Sequence, residues 1–212
     1  MNPIDLSLYL VLDPDQCGGL DGMVQSALTA AQHGATVVQL RAPQWKKRQW
    51  LAAAVALKAA LAPTGAKLII NDHVDIALAV DADGVHVGQS DLPVAAVRRL
   101  LGPDKIVGLS TSNAAQLAAV PLELIDYIGV GPVYPTGTKA DASPVIGAAD
   151  FAAMMAAKAC PAVAIGGIAL GRAAPLIRAG ADGVAVVSAI CGQPDVAKAT
   201  LALLNEIKEA RA

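Results

Sequence analysis

A regular alternation of short apolar runs and longer alanine-rich stretches fills this sequence. Runs of four or five Val, Ile and Leu residues predict strands, and the Ala-rich stretches repeat their apolar residues at helical spacing. Strands that alternate with helices build parallel sheets. The predicted strands are Leu8–Leu12, Thr36–Leu40, Lys67–Ile70, Gly84–Val87, Ile106–Leu109, Tyr127–Val130, Ala162–Ile165 and Gly183–Val187. The predicted helices are Gly22–His33, Gln44–Leu61, Val74–Ala79, Val94–Leu101, Ala114–Ala119, Ala148–Lys158, Ala173–Ala179 and Val196–Ala210.

About eight strand–helix repeats is the number at which a parallel sheet closes into a (β/α)8 barrel. A weak internal repeat supports this fold, because Ala82–Val87 and Ala181–Val186 introduce a strand with the same small, acidic and Gly residues. An open doubly wound sheet is the competing fold, but no G-x-G-x-x-G follows the first strand. The 212 residues suit one domain of this size. We therefore expect an α/β fold, a TIM barrel that spans residues 1–212 as a single domain.

Composition and charge limit the kinds of molecule that this protein is expected to bind. The net charge is -2 and 16% of residues are charged, so no broad positive field would hold a nucleic acid. Apolar runs are too short to span a membrane, and the N-terminus has no basic signal-peptide region. Cys17, Cys160 and Cys191 form no CxxC pair, which argues against a disulfide framework or zinc site. We expect a cytoplasmic protein that acts on small molecules, and its Ala-rich helix faces leave open packing into a homo-oligomer.

Polar residues gather where the predicted strands end. In a barrel, the loops that follow the strands carry the chemistry. The opposite ends hold plain turn residues, chiefly Gly34, Gly65 and Gly180. The strand-end segments are Gln39-Leu40-Arg41, Asn71-Asp72, Gly88-Gln89-Ser90-Asp91, Ser110-Thr111-Ser112, Gly131 to Lys139, Gly166-Gly167 and Val187-Ser188.

Asp72 and Asp91 follow adjacent strands, which would bring two carboxylates within reach of one ion. Hard oxygen ligands without nearby Cys or paired His favour Mg²⁺, with phosphate oxygens and waters completing the octahedron. The alternative is that each Asp begins a helix, since Asp91 precedes Leu92-Pro93 and Asp72 precedes His73-Val74. Together with the other rim residues, the two carboxylates favour metal binding.

Arg41 and Lys139 are the cations that this interpretation places nearest the barrel mouth. A guanidinium can hold a diphosphate through two hydrogen bonds. The alternative is a stabilising salt bridge from these cations to Asp72 or Asp91.

Two glycine- and serine-containing turns lie where barrels often bind phosphate through backbone N–H groups, namely Gly166-Gly167 and Val187-Ser188. A tight turn that requires Gly conformations explains the Gly pair equally well. The loop Tyr134–Gly147 is long for its position and could form a lid or a solvated loop. Of the histidines, His33 and His86 are interpreted as structural, and His73 as an unfavoured candidate base.

The strand-end segments together resemble the thiamine-phosphate synthase family over essentially the whole chain. The motifs that carry the resemblance are Gln39-Leu40-Arg41, Asn71-Asp72, Gly88-Gln89-x-Asp91, Gly131-Pro132-Val133-Tyr134-Pro135-Thr136-x-Thr138-Lys139, Gly166-Gly167-Ile168 and Val187-Ser188-Ala189-Ile190. The Tyr-Pro-Thr-x-Thr-Lys loop is the most specific of them.

The resemblance implies a Mg²⁺-dependent transferase that joins 4-amino-2-methyl-5-hydroxymethylpyrimidine diphosphate to a thiazole phosphate. Pyrophosphate would leave a pyrimidinylmethyl cation, which the thiazole nitrogen captures. By this resemblance, Asp72 and Asp91 hold the metal, and Arg41, Ser110 and Lys139 are catalytic. The implied contacts to the pyrimidine diphosphate are Gln39, Arg41, Asn71, Ser110 and Lys139. The implied contacts to the thiazole phosphate are Thr136, Thr138, Gly167, Val187 and Ser188.

One departure from the family pattern concerns a cation. The pattern after Gln-Leu-Arg continues x-Lys, whereas this chain has Ala42-Pro43, and Lys46 or Lys47 could substitute. A thiazole tautomerase is an alternative enzyme, but it calls for a base after the fifth strand, where this chain has Ser110 to Asn113. A non-catalytic barrel that binds thiazole phosphate or thiamine phosphate is the second alternative.

Overall fold

A computed structural model describes residues 4–137 and 143–212. Within them the chain forms eight strands and nine helices, with two helices after the first strand and one after each of the others. The strands are β1 (Leu8–Leu12), β2 (Val37–Leu40), β3 (Lys67–Asn71), β4 (Gly84–Val87), β5 (Ile106–Thr111), β6 (Tyr127–Val130), β7 (Ala162–Ile165) and β8 (Gly183–Val186).

The eight strands form one closed parallel barrel in the order of the sequence. Each strand pairs with the next, and β1 closes the ring by pairing with β8, with Leu8 opposite Val184. Closure leaves no sheet edge unpaired, which removes the risk of edge-to-edge aggregation. The predicted (β/α)8 fold is confirmed.

The helices follow the predicted order with small differences at their ends. They are α1 (Pro14–Cys17), α2 (Leu20–Gln32), α3 (Lys47–Leu61), α4 (Val74–Ala79), α5 (Val94–Leu101), α6 (Ala114–Ala118), α7 (Gly147–Ala157), α8 (Ala173–Arg178) and α9 (Val196–Arg211). The sequence did not predict α1, a single turn that Asp13 caps by accepting hydrogen bonds from Asp15 N and Gln16 N. Such a turn is too short to show a helical period.

Strand β5 is two residues longer than its apolar run. Ser110 pairs with Gly129 and Thr111 with Val130, so the sheet continues into polar residues. The extension holds Ser110 on the rigid barrel wall instead of on a loop.

Alternate residues of each strand form two apolar layers. In β1, Leu8, Leu10 and Leu12 pack against the helices, while Tyr9 and Val11 lie in the barrel interior. Burial of each Leu or Val side chain contributes about 1.5–3 kcal/mol to folding. The interior cluster packs together inside the barrel and includes residues of β1, β2, β3, β6, β7 and β8. Among the described helices, none is long and apolar enough to cross a membrane.

Candidate active site

A cavity of about 340 Å³ opens at the carboxyl ends of the strands. A larger groove of about 660 Å³ lies between α6 and α7. Among the described residues that line this groove, Asp150 is the one charged side chain, and most of the others are Ala, Leu, Val or Met. The cavity at the barrel mouth combines cationic, acidic, amide and hydroxyl groups and is therefore the candidate site.

Most of the predicted site residues line this one cavity. Thr138 and Lys139 lie outside the described residues, so their predicted roles stay predictions. Asp72 follows Asn71, which lines the cavity, but is not itself part of the described lining. The predicted residues that line it are Gln39, Arg41, Asn71, Asp91, Ser110, Thr136, Gly167, Val187 and Ser188.

The two predicted metal ligands are held by local hydrogen bonds. Oδ2 of Asp91 accepts from the backbone N–H of Gly88 at 2.8 Å, which closes the loop after β4. Asp72 has a φ of 58°, a left-handed conformation that Asp tolerates better than most residues. Its N–H donates to the carbonyl of His86 at 2.9 Å, so the two neighbouring strands stay paired up to this point. The Asp91 carboxylate therefore holds the loop after β4 closed and also lines the cavity.

Arg41 occupies the rim after β2 and is half-buried. Among residues 4–137 and 143–212, no carboxylate lies within 4.0 Å of its guanidinium, so Arg41 forms no salt bridge to Asp72 or Asp91. The same alternative for Lys139 lies outside the described residues. Lys47 is engaged elsewhere, since its Nζ donates to Asp75 at 2.7 Å and to Nδ1 of His73 at 2.8 Å. Of the described cations, Arg41 is thus the one that lines the cavity.

The Gly pair after β7 is required by its surroundings. Gly166 has a φ of 99° and Gly167 a φ of 64°. A Cβ on Gly167 would lie 2.4 Å from the carbonyl oxygen of Pro135, which belongs to the loop after β6. The tight-turn interpretation is therefore correct for this pair. It does not compete with phosphate binding, because Gly167 also lines the cavity.

Arg172 links the loops after β6 and β7. Its guanidinium donates to the carbonyl of Gly167 at 2.9 Å and lies 5.2 Å from the centre of the Tyr134 ring. The N–H of Tyr134 in turn donates to the carbonyl of Gly166 at 3.1 Å. These contacts fix the first residues of the predicted lid loop against the turn of the Gly pair.

The three histidines differ in their surroundings. His33 donates from Nδ1 to the carbonyl of Thr29 at 2.7 Å, as expected of a structural residue. Burial, and then the charge of Lys47, lower the pKa of His73. The His73 ring meets Trp50 edge-on at 4.4 Å and does not line the cavity. His86 does line it, so a purely structural interpretation of this residue is incomplete.

Sequence reasoning missed Tyr9 and His86, which also line the cavity, and it placed Gln89 in a strand-end segment without giving it a role. A signal for His86 was available in the alternation along β4. Val85 and Val87 pack against the helices, so the residue between them faces the barrel interior. A polar residue on an interior face near a strand's carboxyl end points towards the site.

A family model described as thiamine monophosphate synthase matches residues 8–190. The chain belongs to this family. The thiamine-phosphate synthase of Laribacter hongkongensis (strain HLHK9) is 60% identical over 197 residues, which cover 93% of each chain. That of Xanthobacter autotrophicus (strain ATCC BAA-1158 / Py2) is 52% identical over 209 residues, 99% of each chain.

A solved structure gives the same relationship. The thiamine phosphate pyrophosphorylase from Pyrococcus furiosus superposes with a TM-score of 0.88 at 33% identity, covering 99% of this chain and 98% of that one. The resemblance stated from the motifs is thus confirmed at the level of the thiamine monophosphate synthase family, over nearly the whole barrel.

Proposed function

We propose that this protein is a Mg²⁺-dependent thiamine-phosphate synthase. It joins 4-amino-2-methyl-5-hydroxymethylpyrimidine diphosphate to a thiazole phosphate and releases pyrophosphate. One observation carries the proposal: Arg41, Asn71, Asp91, Ser110 and Ser188, which are far apart in the chain, line one cavity. The similarity to thiamine-phosphate synthases over nearly the full length supports the same reaction.

The reaction needs no protein nucleophile. Its barrier lies in the departure of a highly charged leaving group, so catalysis depends on stabilising that charge and on positioning both substrates. Arg41 would donate two hydrogen bonds to the diphosphate, and Asn71 and Ser110 would add neutral ones. By resemblance, Lys139 contributes a second cation to the leaving group.

The thiazole phosphate would bind on the opposite side of the mouth. Backbone N–H groups near Gly167 and Ser188 suit a phosphate, because a backbone without bulky side chains allows close approach. Thr136, together with Thr138 by resemblance, would add hydroxyl donors from the loop after β6. In this arrangement the thiazole nitrogen would face the pyrimidine methylene.

The described residues fit a magnesium ion that shares its coordination with the substrate. No group of three His, Cys, Asp or Glu side chains among the described residues could hold an ion by itself. Two carboxylates at neighbouring strand ends, Asp72 and Asp91, are the hard oxygen donors that Mg²⁺ combines with phosphate oxygens and waters. When bound there, the ion would neutralise charge on the departing pyrophosphate.

A charge-removing variant of Asp91 tests the proposal. Asp91→Asn keeps an oxygen that can accept from Gly88 N, so the loop after β4 stays closed while the carboxylate charge is lost. We expect at least a hundredfold loss of Mg²⁺-dependent thiamine phosphate formation, measured by chromatography with both substrates, and an unchanged melting temperature.

Asp195→Asn is the matched control for that experiment. Asp195 caps α9 by accepting from Lys198 N at 2.9 Å and lies outside the cavity lining. It should retain full activity. Failure of the unaltered protein to form thiamine phosphate would refute the synthase assignment. Equal activities of the two variants would refute the metal role of Asp91.

We further propose that the protein works in the cytoplasm, since its substrates are small phosphorylated intermediates.

A further inference from the structure

A chain of hydrogen-bonded side chains crosses the barrel interior beneath the cavity. Gln39 Nε2 donates to the Tyr9 hydroxyl at 2.7 Å, and the Tyr9 and Tyr127 hydroxyls are 2.8 Å apart. Tyr127 lies 3.0 Å from Nδ1 of His86. Nε2 of His86 lies 2.9 Å from Oγ of Ser110. The chain thus joins two residues of the proposed substrate site, Gln39 and Ser110.

The amide at one end favours one direction for the bonds in this chain. Tyr9 accepts from Gln39, and among the described residues Tyr127 is the other partner of its hydroxyl. Donation to Tyr127 is therefore the arrangement that leaves the buried Tyr9 proton satisfied. Tyr127 then donates its own proton to Nδ1 of His86. A neutral imidazole that accepts at Nδ1 carries its proton on Nε2, and this proton goes to Ser110 Oγ. Ser110 already accepts from the protein and is left to donate towards the cavity.

The barrel is shaped to admit these rings. A Cβ on Gly108 would lie 2.5 Å from both His86 Nδ1 and the Tyr127 hydroxyl, and one on Gly129 would lie 3.1 Å from His86 Cε1. Glycines on β5 and β6 therefore leave the space that the pair occupies. Tyr9 and Tyr127 are almost fully buried, and burial raises the pKa of both hydroxyls. Both stay protonated and can keep one bond direction.

We propose that Tyr9, Tyr127 and His86 are positioning residues that hold Ser110 as a hydrogen-bond donor to the pyrimidine diphosphate. The proposal rests on the function above only for the identity of the ligand. Without this chain of hydrogen bonds, the Ser110 proton could turn towards His86. The Ser110 hydroxyl would then offer the substrate only a hydrogen-bond acceptor. The bond direction inside the barrel is thus a property of the protein and can be measured without substrate.

Imidazole ¹⁵N chemical shifts test the bond direction first, in the full chain at neutral pH. We expect the His86 resonances of an Nε2-protonated ring, assigned by their loss in His86→Gln. Tyr127→Phe should shift the ring towards the Nδ1-protonated form, because Nδ1 loses its donor. An Nδ1-protonated ring in the unaltered protein would overturn the proposal, whether or not the protein makes thiamine phosphate.

Kinetics of two His86 variants test the consequence. Gln can place an amide N–H where Nε2 of His86 was, whereas Leu cannot donate. We expect His86→Leu to raise the KM for the pyrimidine diphosphate about tenfold, the effect of one neutral hydrogen bond. In His86→Leu, the KM for the thiazole phosphate should stay within twofold of the value for the unaltered protein. In His86→Gln, both KM values should stay within threefold.

Each kinetic outcome has one meaning for the positioning role. Equal effects of His86→Gln and His86→Leu, or equal changes in both KM values, would show that His86 only fills space and would overturn the proposal. A protein that shows the expected tautomer but forms no thiamine phosphate would refute the synthase function, and substrate binding in place of KM would then complete the test.

Discussion

The side-chain amide of Asn71 donates a hydrogen bond of 2.6 Å to Oδ2 of its neighbour Asp72. Asn71 lines the cavity, whereas the backbone of Asp72 turns into a left-handed conformation directly after it. The amide therefore orients the carboxylate that we propose as a metal ligand. Residues that orient ligands in this way typically affect metal affinity by about 10–100-fold.

We expect Asn71→Ala to raise the Mg²⁺ concentration for half-maximal activity at least tenfold, because the Asp72 carboxylate loses a donor that orients it. The measurement is a Mg²⁺ titration of the initial rate at saturating substrates. Asn205→Ala, on the exposed face of α9, serves as the control. If Asn71→Ala weakens substrate binding but leaves the Mg²⁺ concentration for half-maximal activity unchanged, Asn71 does not orient the metal ligand.

Gly167→Ala should reduce both stability and phosphate binding. A left-handed alanine costs about 1–2 kcal/mol, and the new methyl group would contact Pro135 O and push away the loop after β6. We expect a loss of roughly 3 kcal/mol in the free energy of unfolding, since overpacking adds about 1–3 kcal/mol, and a KM for the thiazole phosphate at least tenfold higher. Urea unfolding and initial rates provide the measurements.

Gly171→Ala separates backbone strain from the steric effect. Gly171 has a φ of 84°, but a Cβ there would meet nothing within 4 Å. This variant should lose about 1–2 kcal/mol from strain alone and keep its KM. Similar kinetics for the two alanine variants would show that the contact with Pro135 does not shape the phosphate site.

Pro43→Lys should strengthen diphosphate binding. Lys47 is engaged with Asp75 and His73, so it does not replace the cation that the family pattern has at position 43. One charge-assisted hydrogen bond is worth about 1.5–3 kcal/mol, roughly tenfold to a hundredfold in an equilibrium constant. We expect the KM for the pyrimidine diphosphate to fall about tenfold, whereas Gln44→Lys, with the same charge one residue on, should change it less than twofold. Equal effects would indicate a general attraction by charge.

Cys17 should react with thiol reagents at lower pH than an ordinary cysteine. The neighbouring Cys191 thiol lowers the pKa of Cys17 to about 7 from its ordinary value of 9.0. The interaction with Cys17, followed by burial, raises the pKa of Cys191. Because the thiolate is the reactive form, the rate of Cys17 alkylation by iodoacetamide should reach half its maximum near pH 7.

The control for this measurement removes the partner thiol. Cys191→Ala should move the midpoint for Cys17 upwards, and Cys160, whose pKa burial raises, should react slowly at pH 7 in either protein. Alkylated peptides can be quantified by mass spectrometry. A Cys17 midpoint above pH 8.5 in the unaltered protein would rule out the stabilised thiolate.

The barrel and most of its rim could be predicted from the sequence because both follow from local patterns. Apolar runs mark strands, and residues that follow parallel strands must meet at one end of the sheet, which identifies Arg41, Asp91 and Ser188 without any coordinates. The chain from Tyr9 to His86 could not be predicted in the same way. Its members lie on three strands that are not neighbours in the barrel, β1, β4 and β6. Their contact depends on how closely these strands approach across the interior and on the space beside Gly108.

The pairing of β1 with β8 also determines when the protein can acquire its site during synthesis. Arg211, in the last turn of α9, donates to Ser7 Oγ just before β1 at 2.8 Å, so α9 is also tied to the start of β1. A ribosome-bound fragment that lacks β8 cannot close the ring, and it would present an open β1 edge together with an incomplete phosphate pocket. We therefore expect ligand binding to appear only once β8 has closed the ring, and the unpaired β1 edge of such a fragment to favour mispairing.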